Sequence, residues 1–155
     1  MTVVTAAPPA ELTWLEVAAR LEREPFWWMA TACATSGPHS VPVWGVVVDG
    51  VAYSYADAGA RRVRDLRTDP RAVLHLPSPT DVLAVSGTLS DIGPAEEHAA
   101  VVSAYADKYP DPADQQWLPG TEQMLGVRLL RLDPISARAW DLSDFLGSQR
   151  RWRAR

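Results

Sequence analysis

A chain of 155 residues is long enough for one domain to bury roughly two-thirds of the surface it exposes when unfolded, so it needs no disulfide or metal staple to fold. An apolar share of 47%, a charged share of 22% and a net charge of -4 are those of an ordinary globular protein and argue against a nucleic-acid-binding surface. The single cysteine, Cys33, excludes an internal disulfide and a thiolate zinc cluster, and His39, His75 and His98 lack metal-motif spacing, so no metal is expected.

Residues 1–9 are expected to be flexible. They lack a basic-then-apolar leader, and no apolar run is long enough to cross a bilayer, so the expectation is a cytoplasmic protein with no membrane contact and one domain over residues 1–155. Residues 10–24 place Leu12, Leu15, Ala18, Ala19 and Leu21 at helical spacing, and Pro25 ends that helix. Phe26 to Ala34 alternates large and small residues as a buried strand does, and Thr35-Ser36-Gly37-Pro38 turns the chain. Cys33 reads as a small apolar residue on that strand. Val41–Val48 and Val51–Ala56 read as strands joined by Asp49-Gly50, the strongest short hairpin signal.

A helix follows over Ala60–Thr68, with Ala60, Val63 and Leu66 on its inner face, and it stops before Asp69-Pro70. Ala72–Leu76 and Val82–Ile92 are further strands; Gly87 inside the second marks a bulge or a close backbone approach. Pro94 to Tyr109 reads as a helix with Glu96 and Glu97 at its favourable end. After a Pro/Asp/Gln-rich loop, Gln123–Leu132 and Ile135–Asp141 complete the sheet. About six or seven mostly antiparallel strands with helical insertions define a mainly β fold, a β-barrel rather than a parallel α/β sheet.

The chemistry centres on Arg61, Arg62 and Arg64 in the first turn of the Ala60–Thr68 helix. A helix start leaves backbone N–H groups unpaired, and guanidinium forks beside it make a phosphate clamp; the same spacing also fits a solvated helix face pointing outward. Fourteen arginines against the single Lys108 point to a GC-rich coding bias more than to any function. No Ser-His-Asp, paired-carboxylate or thiolate arrangement points to hydrolysis.

Several segments carry a resemblance when taken in order. They are Pro38-His39-Ser40-Val41-Pro42-Val43-Trp44, Ala60-Arg61-Arg62-Val63-Arg64-Asp65-Leu66, Asp69-Pro70-Arg71 and Val85-Ser86-Gly87-Thr88, then Tyr105-x-x-Lys108-Tyr109, Ala139-Trp140 and Gln149-Arg150-Arg151-Trp152-Arg153. Over residues 22–153 this series resembles the split-barrel flavoproteins related to pyridoxamine 5'-phosphate oxidase, and within them the deazaflavin branch that uses coenzyme F-420. The chain departs from that pattern with Arg62 for Lys, Asp65 for Asn and Ala60 for Ser, changes that bear on cofactor affinity more than on fold.

The resemblance implies a homodimeric split β-barrel with a cofactor groove at the subunit interface. It implies cofactor contacts from Val41, Pro42, Val43, Trp44, Ser54, Tyr55, Arg61 and Arg62, and from Arg151 and Trp152 of either subunit. F-420 is the cofactor it points to first, with FMN the alternative, and the implied activity is hydride transfer to a small, electron-poor organic substrate. Tyr55 is a proton-donor candidate by position only. A non-catalytic cofactor-binding protein shares the groove, and a haem site on His39 or His75 is a further alternative on this fold.

Overall fold

The computed structural model of the chain describes residues 9–155; residues 1–8, most of the segment expected to be flexible, lie outside it. Nine strands and three α-helices follow in the order β1 (Ala10–Glu11), α1 (Trp14–Arg23), β2 (Trp27–Cys33), β3 (Gly37–Val43), β4 (Gly45–Val48), β5 (Val51–Ala56), α2 (Arg61–Asp65), β6 (Arg71–His75), β7 (Asp81–Pro94), α3 (Ala99–Lys108), β8 (Arg128–Asp141) and β9 (Arg150–Arg153). The sheet runs β1-β9-β8-β7-β6-β2-β3, and β5 pairs with both β8 and β4. Every pairing is antiparallel except β1 with β9. The sheet curls until β3 and β4 are joined only through the chain at Trp44, which leaves a split rather than a closed barrel.

Two apolar clusters hold this together. Leu12, Val17, Leu21, Trp27, Met29, Leu74, Leu83, Val85, Leu130 and Leu132 fill the barrel and seat α1 on it. Val46, Val101, Tyr105, Tyr109, Leu118 and Leu129 bury α3 against β4, β5 and β8. No helix is long and apolar enough to cross a membrane among the described residues.

The Asp49-Gly50 hairpin forms with both residues at positive φ, 50° and 75°, the backbone that a two-residue turn between twisted strands requires. Gly87 marks a bulge as expected. Ser86 pairs with Ser136 and Gly87 with Pro134, leaving Ile135 as the extra residue, and a Cβ on Gly87 would run into the Asp133 carbonyl. This explains why β8 is one strand where two were expected. Pro134, which lacks an N–H, sits at the bulge and so costs the ladder no bond.

Other boundaries move for local reasons. The expected strand Val41–Val48 breaks at Trp44 and begins earlier, at Gly37. Gln123 lies in a 3-10 turn, Glu122–Met124, before β8. The Pro94–Tyr109 helix starts late, because Ala95–Glu97 is a separate 3-10 turn whose Glu96 carboxylate accepts from Gly126 N–H. Residues 10–11 are strand, not helix, since β9 offers them an edge to pair with.

Helix α1 is closed by a capping box: Glu16 N–H donates to Thr13 Oγ1 at 3.2 Å, and Thr13 N–H donates to the Glu16 carboxylate at 2.8 Å. Arg150 of β9 reaches the same carboxylate at 3.0 Å. Hydrogen bonds from Arg150 first and Thr13 second hold the Glu16 pKa down to about 2 against an ordinary 4.5. A depressed carboxylate pKa stabilises the fold fully above the unfolded value, so this contribution is complete above about pH 4.5 and is lost as the pH falls toward about 2. Thermal melts across that window are expected to decline more shallowly for Arg150→Met than for the wild type.

Candidate functional site

The site grows from one packing conflict. Trp27 on β2 is wholly buried and donates its indole N–H to the Leu21 carbonyl at 2.8 Å, and its ring lies flat where a Cβ on residue 45 would be. Only glycine fits there, and the strand breaks beside it. The break frees β3 to pair with β2 and β4 to pair with β5, and it turns the Trp44 side chain onto the Tyr109 ring, 4.9 Å away and 11° from parallel.

Beside the break lies a cleft of about 440 Å³, lined by Pro42, Val43 and Trp44, by Tyr55 of β5 and Arg62 of α2, and by Asp114 and Trp117 of the loop after α3. Trp44 and the half-exposed Trp117 supply two aromatic walls. The Tyr55 hydroxyl donates to the Trp117 carbonyl at 2.9 Å and ties that loop down. Burial pushes the Tyr55 pKa up to about 12 despite the nearby Arg62 cation, so its proton is firmly held.

Arg62 is the cation of the cleft. It does not point outward with its neighbours: one terminal nitrogen donates to the Tyr55 carbonyl at 3.1 Å, while its buried Nε has no partner among the described residues. Burial lowers its pKa from the ordinary arginine value, the mark of a charge partly stripped of water. An orphaned, buried guanidinium N–H is costly and calls for an acceptor.

The other residues named from the sequence divide between places. Val41 packs against the barrel core, next to the cleft along β3. Ser54 is buried and faces inward, where its hydroxyl donates to the Trp44 carbonyl at 3.0 Å. Arg61 is exposed and bonds the Ser36 carbonyl at 3.2 Å. It lines a separate cleft of about 360 Å³ with Cys33, Ser36, Arg64, Asp65 and Thr68, so α2 divides the two expected clamp arginines. Hydrogen bonds from Ser36 and Thr35 lower the Cys33 thiol to about 6, so it is less inert than its strand position implies.

Asp65, the departure that set a negative charge near a phosphate, turns inward and accepts from the Thr31 hydroxyl at 3.2 Å. Arg151 and Trp152 lie on β9, across the sheet from this cleft. Trp152 packs on Trp14 at 4.9 Å, and Arg151 stands opposite Arg138, so one chain does not bring them to Trp44. Asp114, Trp117 and the α3 side chains behind Trp44 were not singled out from sequence as site residues. A tryptophan inside the polar stretch 110–120 was the available signal for the first two. No group of three or more His, Cys, Asp or Glu side chains converges among the described residues.

The comparisons follow this architecture. The family model described as pyridoxamine 5'-phosphate oxidase matches residues 14–141. Among solved structures, a conserved hypothetical protein from Mycobacterium tuberculosis is 19% identical, with a TM-score of 0.66 over 90% of this chain and 91% of that one. A protein described as an F420 reductase is 18% identical, with a TM-score of 0.62 over 84% and 98%. A heme binding protein from Mycobacterium smegmatis is 17% identical, with a TM-score of 0.67 over 95% of this chain but 59% of that one. No curated protein matches the sequence. Those identities speak for the fold, and together with a family match that spans most of the length they place this chain in the pyridoxamine 5'-phosphate oxidase family.

Proposed function

We propose that the cleft at Trp44 binds a flavin-type cofactor, coenzyme F-420 ahead of FMN, and that the protein is an oxidoreductase passing a hydride to a small, electron-poor organic substrate. The observation that carries this is the buried Arg62 Nε–H without an acceptor, set beside two aromatic walls. A phosphate in the cleft would accept charge-assisted hydrogen bonds from the Arg62 guanidinium, and a planar ring would fill the space between Trp44 and Trp117. Bound there, the cofactor supplies the hydride chemistry.

The chain's own residues bind, orient and exclude water. Arg62 holds the anionic group. The free edge of β3 offers backbone donors and acceptors, with Pro38 and Pro42 supplying carbonyls only. Asp114, which lines the same cleft, would accept from N–H donors of a bound ring. Because the Tyr55 proton is held by Trp117 O and by burial, the proton that completes a reduction comes from solvent in this reading. Tyr55→Phe is accordingly expected to keep its turnover within about threefold of wild type, against the loss of 10²-fold or more that removal of a general acid brings; steady-state kinetics with the reduced cofactor checks it.

The working unit in this reading is a homodimer. The outer sheet face that carries Trp28, His75 and Ala84 lies beside an apolar groove of about 470 Å³ lined by Ala30, Ala32, Val73 and Ile135. Such a face is suited to a second copy. Sedimentation equilibrium of the purified protein checks this, and a monomer at all concentrations would remove the dimer.

A non-catalytic binding protein is the second reading, and one observation favours a haem for it. The His75 Nδ1 lies 2.9 Å from the Leu76 carbonyl, which can only accept, so the proton sits on Nδ1 and leaves Nε2 as a ligand beside the stacked Trp28 ring. Parallel titrations of the apoprotein with F-420, FMN and hemin separate the readings. F-420 or FMN binding with substrate-dependent cofactor oxidation supports the first; hemin binding alone, lost in His75→Ala, replaces it with the second.

A further inference from the structure

The backbone of Trp44 and Gly45 is gripped by side chains. The Trp44 carbonyl accepts from the Ser54 hydroxyl at 3.0 Å and from Tyr105 Oη at 3.2 Å. Gly45 N–H donates to Tyr109 Oη at 3.1 Å, and the Gly45 carbonyl accepts from Lys108 Nζ at 2.8 Å. The Tyr109 hydroxyl in turn donates a hydrogen bond to the Pro25 carbonyl at 2.6 Å. Three of these four groups come from the last turns of α3 and the residue that caps it.

Lys108 is an expensive choice for such a contact. Its side chain is 9% exposed and its nearest carboxylate, Glu22, is 3.8 Å away. The ammonium instead sits 5.2 Å from the Trp27 ring centroid and 5.7 Å from that of Tyr109. Burial lowers its pKa, so the site tolerates the charge at a cost. A core that needed only volume there would be served by an apolar side chain. What the ammonium adds is a strong, directional bond to the Gly45 carbonyl, clamped between the two rings that flank the break.

We propose that Lys108 and Tyr109 are positioning residues: they lock the strand break at Trp44–Gly45 and so fix the Trp44 indole as a wall of the ligand cleft. This deepens the reading of that cleft as the cofactor site and rests on it for its functional meaning. The geometric part rests on the clamp and the Trp44–Tyr109 stack themselves.

The test labels the ligand-free protein with 5-fluorotryptophan, assigns the Trp44 resonance by Trp44→Phe, and compares wild type with Lys108→Met and Tyr109→Phe by fluorine NMR. Tyr109→Phe keeps the stacked ring and carries the test if Lys108→Met does not fold. The Trp44 resonance is expected to shift or broaden in both variants while that of Trp140, on the far part of β8, stays put. Affinity for F-420 or FMN is expected to fall about five- to tenfold, the weight of one buried hydrogen bond. Val101→Ala is the control, since it loosens the same cluster without touching the clamp. An unmoved Trp44 resonance overturns the proposal, and so does an equal movement in Val101→Ala. A shifted resonance in a protein that binds neither cofactor upholds the clamp and removes the cofactor reading instead.

Discussion

Arg62→Ala is expected to weaken cofactor binding by at least about a hundredfold while leaving the fold nearly intact. The size follows from what the residue does. Arg62 lines the cleft with a guanidinium whose buried Nε–H has no partner among the described residues, and a charge-assisted bond from such a group to an anion contributes about 1.5–3 kcal/mol, which is roughly ten- to a hundredfold in affinity before the long-range attraction for an anion is added. Its structural work is one bond to the Tyr55 carbonyl, worth about 1 kcal/mol. Arg62→Lys keeps the charge but loses the fork, so its affinity is expected to fall between the two. Fluorescence titration with F-420 and with FMN reads both variants. Wild-type affinity in Arg62→Ala would make the orphaned N–H a packing accident and would withdraw the phosphate from this cleft.

Gly87→Ala is expected to cost about 3 kcal/mol of stability, or roughly 10 °C in Tm for a domain of this size. A Cβ at Gly87 meets the backbone of Asp133 and Pro134 on β8, and backbone cannot rotate out of the way as a side-chain tip can. Relief requires separating β7 from β8 at the bulge, in the middle of the longest pairing in the sheet. Gly59→Ala is the matched control: its added Cβ would meet nothing closer than Asp57 Oδ1 at 3.4 Å, an ordinary contact. Thermal unfolding of the two variants decides the matter, and equal losses would mean that β8 moves aside freely.

What could be read from the sequence was what local chemistry alone determines. The Asp49-Gly50 turn and β5 came out at their true places because both signals lie within a few residues. Gly87 was legible as a bulge for the same reason. The break at Trp44 was not. Its cause is the Trp27 ring, eighteen residues earlier in the chain, and Gly45 inside a run of valines gave no sign of it.

The arginines were half legible. Arg62 lines the cleft beside Trp44, but adjacent helical positions point about 100° apart, so Arg61 lines a different one. Asp65 looked like an obstacle to anion binding only while its direction was unknown; the buried Thr31 hydroxyl takes it out of the way. Asp114 and Trp117 reach the site through a loop whose path depends on tertiary contacts, chiefly the bond from Tyr55, and no spacing rule exposes that. The α3 clamp was visible only as a motif, because its targets are carbonyls sixty residues away.

Lys108 is the sole lysine of the sequence, and it is sealed inside the clamp. A lysine-specific protease therefore has a single bond to cut, at the end of a packed helix and out of reach while that helix is docked. Each cleavage counts one molecule in which α3 has lifted away, so the digestion rate is a direct clock for the opening of the segment that supports the cleft. Any compound that settles against Trp44 should slow that clock in proportion to its occupancy, which allows ligands to be ranked with a gel and no chromophore.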